Sequence, residues 1–322
     1  MRLLGAELTR WRHRKGLWAT VLVTLAIAAV VCGTLVTASL PPSAEAKAEA
    51  QRQFEEYYAE WETNHDQWYA DCMATAGGEG APTVWDCESQ NVAPVAESYG
   101  PSVMPWADGM QGAMMGAAVL GGLAALVAGA SFLGAEYRHG TISTWLTFAP
   151  NRTAVFASKM AVSVLAGMAV VAAVGLLQAG GLALSFGVLR PTEIGDWGEP
   201  LRMMGRALGL GAMVALMGAS LAVLFKNTVA GAAVPITYML AGAFFGVLNL
   251  VPFGPQLRRW LPESNLYAYL ANGYETGHFD EAKREWVPVF ISAAQGTTYL
   301  LVLTGALVLA AFVVFRRRDV TD

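Results

Sequence analysis

Apolar residues in this chain fall in long blocks, with polar residues gathered between them. Six windows are apolar over a length that can span a bilayer: Leu17–Leu40, Met110–Gly134, Ala157–Val188, Ala207–Phe225, Val229–Phe253 and Val289–Phe315. Crossing about 30 Å of hydrocarbon takes roughly 20 helical residues. Backbone groups in lipid must be satisfied within the segment, so these windows predict helices rather than open strands. An even number of crossings puts both chain ends on one side. The pattern predicts an all-α polytopic membrane protein with six transmembrane helices.

The stretches between the windows have patterns of their own. Residues 1–16 form an amphipathic helix in which Leu4, Leu8 and Trp11 make one stripe and Glu7, Arg10 and Arg14 another. A short basic helix bearing a Trp suits the headgroup layer, ahead of transmembrane helix 1 at 17–40. The regular stripe favours this reading over an unstructured basic flank. Val36-Thr37-Ala38 resembles a signal cleavage site, but the apolar run is too long for a signal core and five more windows follow. Pro41-Pro42 ends the first span and opens the segment 41–109. In it Phe54, Tyr58, Trp61, His65, Trp68 and Cys72 alternate spacings of four and three, the seam of one helix face. Such a stripe is read as packing rather than a ligand cage. The second half of the segment, rich in Gly and Pro, reads as loop.

The most informative interruption is the segment 135–159, with EYRHGTISTWLTFAPNRTAVFASK at its centre. Arg138, Arg152 and Lys159 outnumber the single acid Glu136, and Ile142, Trp145, Leu146, Phe148, Val155 and Phe156 are more than a solvated linker needs. Thr141 and Ser143 are candidate caps of a short helix that Pro150 would end. Further on, 254–288 forms a second long connection. Its LPESNLYAYL run is compatible with a short helix dipping into the bilayer or with a surface loop. A basic tail, 316–322, follows the last window.

Charge orients the chain. With both termini cytoplasmic, Arg2, Arg10, Arg12, Arg14, Lys15, Arg138, Arg152, Lys159, Lys226 and Arg316–Arg318 lie inside, against only Glu7, Glu136, Asp319 and Asp322. Nine bases and 21 acids are left outside, so the formal net charge of −4 hides a strong asymmetry. The expected location is the cell membrane, multi-pass, with cytoplasmic termini. Composition agrees: 55% hydrophobic and 14% charged, with mean hydropathy +0.41. Segment 41–109 is then external, where Cys72 and Cys87 are the only cysteines and a structural disulfide is expected. Arg206 snorkels with Arg202 to the outer interface. No line of acids or histidines crosses the spans, which argues against a proton- or ion-coupled relay. Gly112-x-x-x-Gly116, Gly205-x-x-x-Gly209 and Gly242-x-x-x-Gly246 permit close helix approach. Pro235 marks a kink in the fifth span.

Catalytic signatures are missing. The chain has no G-x-x-x-x-G-K-[ST], H-E-x-x-H or G-x-S-x-G, its four His make no metal cluster, and no basic groove suits nucleic acid. This chain is therefore expected to be no enzyme and to hold no cofactor or metal.

The pattern E-x-R-x-G-T-I-x-x-W-L, then A-P-N-R and a Lys opening the next span, resembles the first cytoplasmic loop of ABC-2 type permeases, the membrane subunits of ABC transporters. The basic N-terminal helix and six spans agree, so the resemblance covers most of the chain. It implies a permease dimer, of identical or related copies in the lipid bilayer, above two ABC ATP-binding subunits that carry ATP and Mg. It also implies that this loop holds a coupling helix seated in the ATPase. Glu136, Arg138, Gly140, Thr141 and Trp145 fall on that element, and Pro150, Arg152 and Lys159 lead into the third span. On the residues alone, membrane-surface anchoring explains Trp145 and the arginines equally well; the family pattern favours coupling. Export is expected, since no stretch resembles an importer's docking loop. The long Cys-bearing segment departs from the family's minimal form. It leaves a second hypothesis, a non-transporting membrane sensor or assembly protein whose ectodomain binds a partner. Association with an ATPase separates the two.

Overall fold

The fold is that of a computed structural model, described for residues 2–75, 87–88, 91–100, 103–148, 151–241, 257–280 and 285–317. The chain divides into two compact units, Met1–Thr37 with Trp106–Asp322, and Ala38–Pro105.

The larger unit is a helical bundle. It begins with α1 (Arg2–Arg12) and α2 (Lys15–Ala38), and resumes at α4 (Trp106–Gly116), which passes through a π-helical turn at Ala117–Gly121 into α5 (Gly122–Arg138). Then come α6 (Thr141–Phe148), α7 (Arg152–Leu189), α8 (Gly198–Phe225), α9 (Thr228–Ala241), α10 (Pro262–Leu270), strands β1 (Tyr274–Asp280) and β2 (Glu285–Ile291), and α11 (Ala293–Arg317). Among the described residues, five helical stretches are long and apolar enough to cross a membrane: Lys15–Ala38, Trp106–Arg138, Arg152–Leu189, Gly198–Phe225 and Ala293–Arg317. The expected fifth span, Val229–Phe253, is described only as far as α9, and its remainder lies outside the described residues. Pro235 sits within α9.

Local chemistry sets several boundaries. Asn151 caps α7 by accepting from the Ala154 amide at 3.0 Å, and Asn227 caps α9 by accepting from Val229 at 2.7 Å. The first four spans start earlier than hydropathy indicates, because their first turns carry polar residues. In α8 that turn holds Glu199, which pairs with both Arg202 and Arg206, so Arg206 is neutralised by a carboxylate on its own helix in addition to any snorkelling. The LPESNLYAYL run is α10, with Ser264, Asn265, Ala268 and Leu270 buried, so it is a packed helix rather than a surface loop. β1 and β2 form an antiparallel hairpin pairing Tyr274 with Ile291 and Gly277 with Pro288. The hairpin is a small addition to an all-α polytopic fold, and it corrects the start of the last window. Val289–Ile291 are strand residues and the helix begins at Ala293.

The bundle is tightest where α5, α7 and α8 cross. A Cβ added at Gly129 would lie 2.2 Å from the Ala215 carbonyl oxygen, one at Gly218 2.2 Å from that of Leu126, and one at Gly167 2.4 Å from that of Gly211. Backbones therefore meet through glycine, as small-residue packing allows. The glycines of the linear motifs serve less directly. Gly205 faces open space, Gly112 meets a Leu35 methyl, Gly116 and Gly209 face the side chains of Gln178 and Tyr269, and Gly242 and Gly246 lie outside the described residues.

The smaller unit is built on α3 (Ala44–Thr75). After Pro41-Pro42, the Ser43 hydroxyl accepts from the Ala46 amide at 3.1 Å and caps it. No residue of α3 is fully buried; its aromatic seam is half-covered, Tyr99 packing on Phe54 and Tyr57, while Trp61 stacks on His65 at 4.2 Å. Cys72 and Cys87 are brought to disulfide distance, with Cα atoms 5.6 Å apart.

The crossings predict that Gly129→Ala or Gly218→Ala lowers stability by about 1–3 kcal/mol, the usual cost of overpacking a filled interface. Gly205→Ala should be near neutral. Melting temperatures of the purified variants in detergent check this, and equal effects at all three positions would contradict the assigned crossing.

Candidate functional site

The site grows from a problem that the sequence poses. Lys159 lies about 10 Å along α7 from its start, at 1.5 Å per residue, on a helix that is otherwise apolar there. An unpaired ammonium at such a place is costly. The structure encloses Lys159 completely and supplies two carboxylates from distant elements. Its Nζ donates to Glu7 Oε1 of α1 at 2.9 Å and forms an ion pair with Glu136 Oε2 of α5 at 2.5 Å. Glu7 is fully buried and Glu136 nearly so. Arg10, one turn beyond Glu7 and 40% exposed, stands 3.7 Å from Glu136 Oε1 and brings the cluster to charge balance.

Arg14, in the turn between α1 and α2, closes the cluster from the other side. Its Nη1 donates to the carbonyls of Ser131 at 2.9 Å and Phe132 at 2.6 Å. The Phe132 ring lies beneath both cations, 5.6 Å from Lys159 Nζ and 5.7 Å from Arg14 Cζ. Burial lowers the Arg14 pKa, with Glu136 pulling it back up; arginine stays charged throughout. The other face of α1 holds Leu4, Leu8 and Trp11, which pack against a core that includes Phe132, Leu133, Phe156, Met160 and Phe315. The apolar stripe of α1 is thus spent largely on the protein's own spans.

The segment 135–159 hangs from this cluster. Gly140 ends α5 with φ of +63°, a left-handed turn that glycine adopts without strain. The next residue starts α6. The Thr141 hydroxyl donates back to the Glu136 carbonyl at 3.4 Å. Ile142 is buried in the core, whereas Phe148 is 81% exposed. At the far end Arg152 donates to the Arg316 carbonyl at 3.2 Å, tying the start of α7 to the end of α11.

The expected residues therefore separate. Glu136 and Lys159 turn inward and hold helices together. Arg152 reaches α11, Arg138 and Thr141 are exposed, and Gly140 makes the turn. Trp145 falls on α6, its side chain outside the described residues, and Pro150 lies outside them altogether. Three participants escaped sequence reasoning in this role: Glu7, Arg10 and Arg14. Their shared face on the N-terminal stretch is visible in the sequence, but the distant groups they meet, Lys159, Glu136 and two α5 carbonyls, are not. Gln178 was missed as well, a fully buried amide of α7 beside Gly116 with no hydrogen-bond partner among the described residues. No group of three or more potential metal ligands occurs among those residues.

A bundle of membrane-length helices describes a polytopic membrane protein. The model of the ABC-2 family transporter protein matches residues 2–320, nearly the whole chain, and the chain belongs to that family. No curated protein and no solved structure matches it.

Lys159→Ala leaves two buried carboxylates facing each other and should cost about 3 kcal/mol or more. Adding Glu7→Gln and Glu136→Gln to the Lys159 variant should recover a large part of that loss. Thermal melts of the single and combined variants test this, and strictly additive losses would show that the three groups do not act as a unit.

Proposed function

We propose that this chain is the permease subunit of an ABC exporter, forming the translocation pathway as a dimer and driven through α6 by separate ATP-binding subunits that hold ATP and Mg. As an ABC-2 family member, the chain is a membrane transport component. The observation that carries the coupling assignment is the mounting of α6. This helix presents Phe148 to its surroundings, and both of its ends lead into fixed contacts. A push on α6 passes through Glu136 into α5, α1 and α7, and through Arg152 to α11. In this reading Phe148, Trp145, Thr141 and Arg138 meet the ATPase, while Glu136, Lys159 and Arg152 are positioning residues. Gly140 is the turn that aims the helix.

The termini and α6 face the cytoplasm, which follows from the excess of Lys and Arg on that side. Segment 41–109 is then external, and Cys72 and Cys87 form a disulfide there. Closing a loop of this size contributes on the order of 3 kcal/mol. Mass mapping of non-reduced protein should find the two peptides linked; two free thiols would remove the staple.

The coupling role is tested by copurification. Truncating an interface aromatic commonly costs about 2 kcal/mol, roughly thirtyfold in affinity. Phe148→Ala and Trp145→Ala should each weaken capture of the ATP-binding subunit by about that factor, and Arg138→Ala by less if it lies on a solvated rim. Membrane insertion should be unchanged. Full ATPase binding in all three variants would reduce α6 to a connector and favour a non-transporting sensor.

A further inference from the structure

Beside the charge cluster lies an open groove of about 350 Å³, whose basic lining the coupling reading leaves unassigned. It is lined by Arg10, His13 and Arg14 from the α1–α2 corner and by Phe132, Ala135, His139 and Thr141 from α5 and the turn after it. One acid, Glu136, lines it, and that carboxylate is already engaged by Lys159 and Arg10. The groove thus combines two guanidinium-bearing side chains, two imidazoles and a hydroxyl with a neutralised acid. Such a set suits a phosphate group.

We propose that this groove holds the headgroup of an anionic phospholipid from the leaflet nearest the chain termini. Three observations favour a lipid over a protein partner. Arg14 contacts the carbonyls of Ser131 and Phe132, so the groove reaches into the apolar end of α5 rather than standing clear of it. The chain runs from His13 and Arg14 directly into α2, whose Trp18, Leu22, Val23, Ile27 and Val30 are all exposed, a path for acyl chains. Trp18 donates its indole N–H to the Arg12 carbonyl at 2.8 Å and packs on Trp11, placing two indoles at this corner as expected at headgroup depth. Basic pockets between membrane helices recognise anionic headgroups on these terms. The inference is independent of whether α6 couples to an ATPase.

The test uses the full chain in detergent, titrated with phosphatidylglycerol or phosphatidylcholine and read by native mass spectrometry. The intact protein should prefer phosphatidylglycerol, and the preference should fall as salt rises. Arg10→Gln should reduce it by up to about fivefold, a full cation being removed near the headgroup, and His13→Gln, which removes a hydrogen-bonding imidazole, should reduce it by less. Lys226→Gln, which removes an exposed cation away from the groove, should leave it unchanged. Three results would overturn the assignment: no preference in the intact chain, an equal loss in the Lys226 variant, or groove variants that keep their lipid preference while losing the ATP-binding subunit. The last would make the groove a protein dock. Melting temperatures of each variant separate loss of lipid from loss of fold.

Discussion

Lys159 is the constraint around which the α1 end of the bundle is arranged. A buried ammonium can be kept charged only if carboxylates come to it, and α7 itself supplies none nearby. Glu136 comes from the end of α5 and Glu7 from α1, so three elements far apart in sequence are held at one point. Breaking such a cluster is costly, yet its net contribution over an apolar substitute is small. What it contributes is a fixed relative placement. An apolar patch would let α1 slide on the spans, whereas a hydrogen-bonded ion pair holds α1 in one register.

That placement fixes the neighbouring features as well. With Glu7 held, Leu4, Leu8 and Trp11 point into the core and Arg10 and Arg14 point toward the groove. With Glu136 held, the turn at Gly140 has a rigid base, and α6 leaves it in a defined direction. The loop helix and the groove therefore share one support. A disturbance of the cluster is felt by both, while a change at Phe148 or His13 touches only one.

Much of this was legible in the sequence, for identifiable reasons. Long apolar windows located the spans, Pro41-Pro42 marked the end of the first, and the pattern from Glu136 to Lys159 pointed to the family. Other features depend on pairs that no local pattern reveals. Glu7 reads as the i, i+3 partner of Arg10, but its hydrogen bond goes to a lysine 152 residues away. Gly129 and Gly218 belong to no G-x-x-x-G pair because each meets a carbonyl on another helix. The hairpin is hidden for a different reason. Gly277 and Pro288, opposite each other in its register, are both poor strand residues, and Val289 opens an apolar run that resembles the start of a span. The π turn at Ala117–Gly121 leaves no mark in hydropathy at all.

The distribution of tight and loose packing bears on how the parts can move. Where α5, α7 and α8 cross, backbone meets backbone, so these helices have no room to slide and should shift as one body. By contrast, α2 and α11 expose Leu22, Val30, Leu301, Val302 and Leu309 along their lengths, the surface that lipid or a second permease copy would cover. The charge cluster sits on the rigid body, and α6 is attached to it at Glu136. If α6 couples to an ATPase as proposed, a displacement of α6 would be transmitted to α5, α7 and α8 together rather than absorbed by a single helix. Arg152 would carry the same displacement to α11, whose exposed face is freer to respond. Rigid-body movement against a looser neighbour is a common way for a small local push to become a change at a distant site.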